Sequence, residues 1–244
     1  MIDLHCHILP GLDDGPRNFE ESLAMARQAA ADGVQVIVAS PHVYEQDRPD
    51  PEEIRSLSAE LDRQVVAEGL PLRILPGSEI RATPTLLEDL QAGRVLTVGD
   101  RGRVVLIELP ASGHPMFAGE LFFRLQLAGY LPLLAHAERY DIYRRQPQLL
   151  QDMSVRGYGL QINAGSLAGR EGFRVRRHAQ RLLREGLVTV IASDGHNTRS
   201  RQPVLTVARR GMGRDLSLFD RLTREAPRRL LTMAAHQPPT DPET

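Results

Sequence analysis

Seven short apolar runs recur along this chain of 244 residues, at 2–5, 34–39, 72–76, 103–108, 131–135, 158–163 and 187–192. Each is nearly continuously aliphatic or β-branched rather than alternating with polar residues. Such runs suit strands buried on both faces, as in a parallel sheet. Amphipathic stretches separate them. Phe19, Leu23, Ala26 and Ala30 stand at helical spacing, and Asn18 with Glu21 forms a capping box ahead of them. Asp50-Pro51-Glu52-Glu53 is a second helix start, with Asp as N-cap and Pro in the first turn. Gly33, Gly69, Gly129, Gly157 and Gly186 each precede a run, where glycine permits the left-handed helix terminator. The chain therefore reads as about seven β-α units, which implies parallel strands with right-handed crossovers. A closed or distorted TIM-like barrel is the simplest such architecture, and a doubly wound open sheet is the alternative.

The length fits one large domain, and no linker divides the chain. Residues 1–236 are expected to form that domain, and the Pro-rich polar tail 237–244 is expected to be disordered. The net charge is −1 and aromatics make up 5% of residues, so no nucleic-acid track is indicated. All 30 basic residues are arginine, a bias that a GC-rich genome explains without invoking anion binding. The single cysteine, Cys6, excludes an internal disulfide and fits a reducing compartment. No signal peptide opens the chain, and no apolar stretch reaches the roughly 18 residues that span a bilayer. A cytoplasmic protein without membrane insertion is expected.

Function in such folds gathers at the carboxyl ends of the strands. There the sequence sets His5 and His7 after the first run, then Asp13 and Asp14 in the following turn. His42 follows the second run, Glu79 the third, Glu108 ends the fourth, His136 the fifth, and Asp194 and His196 the seventh. Only the sixth, ending in Asn163-Ala164-Gly165, offers no ligand. Taken singly, a buried histidine is more often a hydrogen-bonded core residue, and a strand-end carboxylate is often a helix cap. Six of seven strands ending this way is not a pattern that chance supplies. Burying so many charges without a cation would cost several kcal/mol per ion, by rough estimate. Mixed imidazole and carboxylate ligands suit manganese, iron, zinc or cobalt rather than a structural zinc, and nine ligands are enough for two or three ions.

The His-x-His pair, the later His, the two Glu, a further His and the final Asp-x-His resemble the polymerase-and-histidinol-phosphatase (PHP) superfamily. Four segments narrow the likeness: His5 to Pro16 (HCHILPGLDDGP), Ala135 to Tyr140 (AHAERY), Gln161 to Leu167 (QINAGSL) and Ser193 to Asn197 (SDGHN). Together they resemble the bacterial PHP-type tyrosine-protein phosphatases of capsule and exopolysaccharide clusters, from residue 1 to about Leu231. The resemblance implies a distorted seven-stranded TIM-like α/β barrel. It implies two or three divalent ions, manganese first, with iron, zinc, cobalt or magnesium as alternatives. The first would take His5, His7, Glu79 and Asp194; the second, bridged by Glu79, would add Glu108 and His136; the third would take Asp14, His42 and His196. Ala137 and Gly195 depart from the family's usual Pro and Ala, and Ala226-Pro227 from its Asn-Pro.

The implied chemistry is phosphomonoester hydrolysis by attack of a metal-bridging hydroxide, without a phosphoenzyme. Cys6 is not a nucleophile of the cysteine-phosphatase kind, because the sixth residue after it is Leu12 and not arginine. Arg139 and Arg201 match positions where the family holds phosphate, a task suited to the guanidinium fork, although Arg199 stands close to Arg201. Tyr140 either lines the substrate's approach or packs; Asn163 and Asn197 either orient ligands or cap turns. The implied substrate is a tyrosine-phosphorylated bacterial kinase with a Tyr-rich C-terminal tail. The alternative is a small-molecule phosphomonoesterase such as histidinol-phosphate phosphatase. A scaffold with a relic metal site and a nucleic-acid phosphodiesterase are weaker readings. The sequence does not fix an oligomeric state.

Overall fold

The computed structural model describes residues 1–110, 115–213 and 215–233, so the tail 237–244 lies outside the described residues. All seven runs form strands, yet hydrogen bonding yields nine among the described residues. They are β1 (Ile2–Cys6), β2 (Val36–Ala39), β3 (His42–Val43), β4 (Arg73–Pro76), β5 (Glu79–Arg81), β6 (Val104–Glu108), β7 (Leu131–Leu134), β8 (Gly159–Asn163) and β9 (Val190–Ala192). Every pairing is parallel, in sheets ordered β1-β2-β4 and β3-β5-β6-β7-β8-β9.

The two strands beyond the expected seven arise from interruptions. Pro41, which has no N–H to give a ladder, separates β2 from β3. Gly77 separates β4 from β5 and passes so close to β2 that a Cβ there would lie 2.7 Å from Val38 Cγ1. Pairing resumes beyond both breaks, His42 against Glu79. Two expected loop ligands thus stand on short strands of their own.

The sheet curls until its first strand meets the chain leaving its last. Cys6 bridges Gly195 in parallel fashion. The His7 amide donates to Gly195 O at 2.8 Å, and the Asp194 amide donates to His5 O at 2.9 Å. Ile2, Leu4, Val38, Val104, Leu106, Leu133 and Val190 pack together inside the curl. Residues alternating with them, among them Ile37, Ile74, Val105, Ile107, Leu134 and Ile191, pack outward against helices. This two-faced burial is the reason the runs are continuously apolar.

The helices are α1 (Phe19–Ala31), α2 (Pro51–Ala67), α3 (Leu86–Gln91), α4 (Ala118–Leu127), α5 (Asp141–Arg145), α6 (Gln148–Val155), α7 (Ala164–Ala168), α8 (Phe173–Arg184), α9 (Arg209–Met212), α10 (Leu216–Asp220) and α11 (Ala226–Thr232). Ala226 and Leu230 of α11 join the inner cluster and close that end of the curl. The two helix starts read from the sequence form as caps. Asn18 Oδ1 accepts from the Glu21 amide, and Asp50 accepts from the Glu52 amide with Pro51 opening α2. Only half of the capping box is made: the Glu21 carboxylate turns to the Arg17 amide and guanidinium and not to Asn18 N. All five expected terminator glycines have positive φ. No helix among the described residues is long and apolar enough to cross a membrane.

Candidate metal centre

The first two candidate ligands owe their direction to a β-bulge. Asp3 pairs with Ile37 and Cys6 with Ala39, so β1 carries one extra residue across that interval. A bulge of this kind re-aims side chains. Leu4 stays in the inner cluster, while Cys6 faces the helices with its thiol 3.5 Å from Gly195 O. His5 and His7 are both fully buried and face each other, Nε2 to Nε2 at 3.1 Å.

The other candidates converge on this pair. Glu79 is fully buried, and its carboxylate meets four imidazoles. Oε2 lies 3.4 Å from His5 Nε2, 3.4 Å from His7 Nε2 and 2.9 Å from His42 Nδ1, while Oε1 lies 2.9 Å from His136 Nε2. Asp194 Oδ1 is 3.5 Å from His5 Nε2 and 3.6 Å from His7 Nε2. Asp14 Oδ1 is 3.1 Å from His196 Nε2 and 3.6 Å from His42 Nε2. Glu108 Oε1 is 3.7 Å from His136 Nε2. All nine residues thus meet at one end of the curled sheet. Ligand atoms of seven of them form three overlapping clusters: His7, Asp14, His42 and His196; His5, His7 and Glu79; and His42, Glu79 and Glu108, with His136 and Asp194 at their edge.

Two of the nine have left-handed backbones, His136 at φ 34° and Asp194 at φ 52°. Non-glycine residues tolerate this region at a cost of order 1–3 kcal/mol, and such strain collects at functional sites.

The supporting contacts come largely from the strand without a ligand; Asn163 takes its ligand-orienting alternative, while Gln161 was not foreseen. Gln161 Oε1 accepts from His5 Nδ1 at 3.1 Å and from the His136 amide at 2.8 Å. Gln161 Nε2 donates to Asn163 Oδ1, and Asn163 Nδ2 donates to Asp194 Oδ2, both at 2.7 Å. Asp13 Oδ2 accepts from His7 Nδ1 at 2.6 Å, and Asp194 O accepts from His196 Nδ1 at 3.0 Å. In each of these histidines the Nδ1 proton is committed, which leaves Nε2 with a lone pair aimed into the centre.

This arrangement fits metal ions. Lone pairs facing each other at 3.1 Å need a cation or a proton between them. Glu108 Oε2 is met by Arg81 Nη2 at 2.9 Å, but Glu79 Oε2 and His196 Nε2 are buried without a well-aligned hydrogen bond. Each such atom costs about 1–3 kcal/mol unless something satisfies it. Without metal, protons take that place. Burial opposes charge on His7, but its hydrogen bonds to Asp13 and Glu79 prevail and raise it to about 10. Burial would likewise raise Glu79 and Asp194, yet the surrounding histidines hold both well below the usual carboxylate range. His196 is driven down by burial and by His7 beside it, so its imidazole stays neutral.

Both expected anion clamps reach the centre, one on each oxygen of Asp194. Arg139 Nη1 is 3.2 Å from Oδ2, and Arg201 Nη2 is 2.8 Å from Oδ1. Arg201 Nη1 also reaches Asp14 Oδ2 at 3.3 Å. The two arginines line a cavity of about 250 Å³ with Arg170, Glu171 and Ser193. Arg199 lines a different cavity, beside Arg17. Tyr140 proves to be a packing residue, buried, with its hydroxyl accepting from the Leu109 amide at 2.8 Å. The two asparagines divide: Asn163 orients a ligand, whereas Asn197 accepts from the amides of Arg199, Ser200 and Arg201 and shapes that turn.

Residues 1–232 match the family described as capsular polysaccharide synthesis, CpsB/CapC. The chain belongs to the CpsB/CapC family. It is 38% identical over 224 residues to the tyrosine-protein phosphatase YwqE of Bacillus subtilis, covering 88% of this chain and 87% of that one. It is 32% identical over 216 residues to the tyrosine-protein phosphatase CpsB of Streptococcus pneumoniae, covering 85% and 88%. A solved structure, from work on YwqE and CpsB as unique metal-dependent tyrosine phosphatases, superposes with a TM-score of 0.89 at 35% identity. It covers 98% of this chain and 100% of that one. One departure of this CpsB/CapC member has a local reason: a Cβ at Gly195 would lie 2.9 Å from both N and Cα of Pro203.

Proposed function

We propose that this chain is a metal-dependent protein-tyrosine phosphatase. One observation carries the reading: five imidazoles, four carboxylates and two arginines gather at one end of the curled sheet. Family membership and the YwqE and CpsB relatives support phosphotyrosine as the substrate. The nine strands correspond to seven staves, two of them interrupted, which supports the distorted seven-stranded barrel, with residues 1–236 as one domain.

His5, His7, Asp14, His42, Glu79, Glu108, His136, Asp194 and His196 would hold two or three divalent ions, manganese first. When bound, such ions would supply Lewis acidity toward the phosphoryl oxygens and activate a water as the nucleophile. The chain's own work is to hold that centre and grip the phosphoryl group. Gln161 and Asp13 fix the tautomers of His5 and His7. Arg139 and Arg201 carry fixed positive charge beside Asp194, where a phosphate's non-bridging oxygens gain bidentate partners as charge builds. Cys6, buried and pushed well above its ordinary thiol value by burial, takes no part. The physiological substrate would be the Tyr-rich tail of a cytoplasmic tyrosine kinase that regulates capsule or exopolysaccharide synthesis.

The test is turnover of a phosphotyrosyl peptide, a phosphoseryl peptide and histidinol phosphate, after chelation and after Mn²⁺ add-back. Phosphotyrosine turnover should return with metal and vanish in His136→Ala. Turnover of histidinol phosphate alone would move the protein to small-molecule chemistry, and inactivity with every metal would sink the enzyme reading.

A further inference from the structure

Helix α8 carries a stripe of arginine that the metal centre does not use. Arg174, Arg177, Arg181 and Arg184 follow one another at intervals of 3, 4 and 3 residues. They therefore share one face and run about 15 Å along the helix. With Arg144 and Phe173 they line a cleft of about 500 Å³ between α5 and α8. Arg144 has Asp141 at 2.6 Å, and Arg181 has Glu185 at 2.6 Å. Among the described residues, no carboxylate forms an ion pair with Arg174, Arg177 or Arg184, all of which are exposed.

At its N-terminal end the placement is unfavourable for the helix itself, whereas Arg181 and Arg184 stand in the last turn, where cations suit the macrodipole. Arg174 and Arg176 stand in its first turn, which has no acidic residue. Cations near a helix N-terminus oppose the macrodipole, and like charges three or four residues apart repel. A surface helix without a partner gains nothing from Arg174 in its first turn or from the repulsion between Arg174 and Arg177.

The cleft also adjoins the centre. Arg170 and Glu171 line the cavity beside Asp194, and Phe173 begins the cleft. From Arg170 to Phe173 the chain reaches at most about 11 Å. His178 Nδ1 donates to Glu138 O at 3.0 Å, which ties α8 to the turn that bears Arg139.

We infer that the α5–α8 cleft docks an acidic segment of the protein substrate, its Asp and Glu side chains on the Arg174–Arg177–Arg181–Arg184 stripe, while a phosphotyrosine nearby in the same chain enters the metal centre. A cleft about 15 Å long holds roughly four to five extended residues, which suits a peptide better than a duplex. The inference rests on the tyrosine-phosphatase reading.

The experiment compares the Mn²⁺-loaded protein with its Arg174→Gln/Arg177→Gln/Arg184→Gln variant. Substrates are p-nitrophenyl phosphate and two phosphotyrosyl peptides, one flanked by Asp and Glu and the other by Asn and Gln. The wild type should favour the acidic peptide about tenfold in kcat/KM, mainly through KM, and less so at high salt. The variant should lose that preference and keep its rate on p-nitrophenyl phosphate. Equal turnover of both peptides by the wild type, or a preference that survives in the variant, overturns the inference. If no phosphotyrosine is hydrolysed, fluorescence anisotropy with the unphosphorylated acidic peptide separates the two claims. Binding by the wild type and not by the variant upholds the acidic-segment site while the phosphatase reading falls. No binding, or tighter binding of duplex DNA or phosphatidylserine vesicles, overturns the site.

Discussion

Gln161 carries no charge and is not among the candidate ligands, yet its side-chain oxygen accepts hydrogen bonds from both His5 Nδ1 and the His136 amide. Partners that fix a ligating imidazole are typically worth 10- to 100-fold in metal affinity. Gln161→Ala should therefore weaken Mn²⁺ binding by about that factor, read by competition with a chromophoric chelator. An unchanged affinity would remove Gln161 from the metal centre's support. The contrast with the ligands explains what could be read from residues alone. Histidines and carboxylates at strand ends have few other reasons to be buried together, so the set of nine was visible in the sequence. A neutral amide in the middle of an apolar run looks the same whether it packs or orients. Asp13 is equally ambiguous beside Asp14; only the fold brings it to His7 Nδ1.

At the level of elements, continuous apolar runs gave the strands, because a sheet covered on both faces leaves no polar alternation to confuse the reading. The bulge in β1 and the breaks before β3 and β5 were not readable, since each depends on how a neighbouring strand approaches. Net charge concealed the α8 stripe in the same way: a total of −1 is an average over surfaces of opposite sign. The buried face of α8 makes a prediction of its own. His178 is 4% exposed, and burial, aided by Arg181 and Arg144, holds its imidazole below the ordinary histidine value. The unfolded chain binds a proton near pH 6.5 that the folded chain resists, so the contribution of His178 is complete above that pH and declines below it. His178→Gln should be about 1 kcal/mol less stable at pH 7. In urea denaturation its deficit should narrow toward pH 5. Parallel stability curves for the two proteins would contradict this.

For the whole molecule, the proposed metal centre would hold its staves in place as much as serve chemistry. Its candidate ligands come from six of the seven runs, so bound metal would cross-link nearly the entire sheet. A ligand at a thousandfold above its Kd adds about 4 kcal/mol to folding, roughly 10 °C in Tm for a chain of this size. Chelation should lower Tm by about that amount in calorimetry, and Mn²⁺ should restore it. A Tm indifferent to chelation would mean that the apo fold is already complete. There is a further consequence of the bridge between Cys6 and Gly195 and of the distance in sequence from His5 to His196. Contacts this non-local form late and slow folding. A nascent chain still on the ribosome lacks Asp194 and His196 until residue 196 has emerged, so the full set of candidate ligands comes together only after that point. On the proposed reading, a complete metal complement would require that translation has passed that point and that the two ends of the sheet have met.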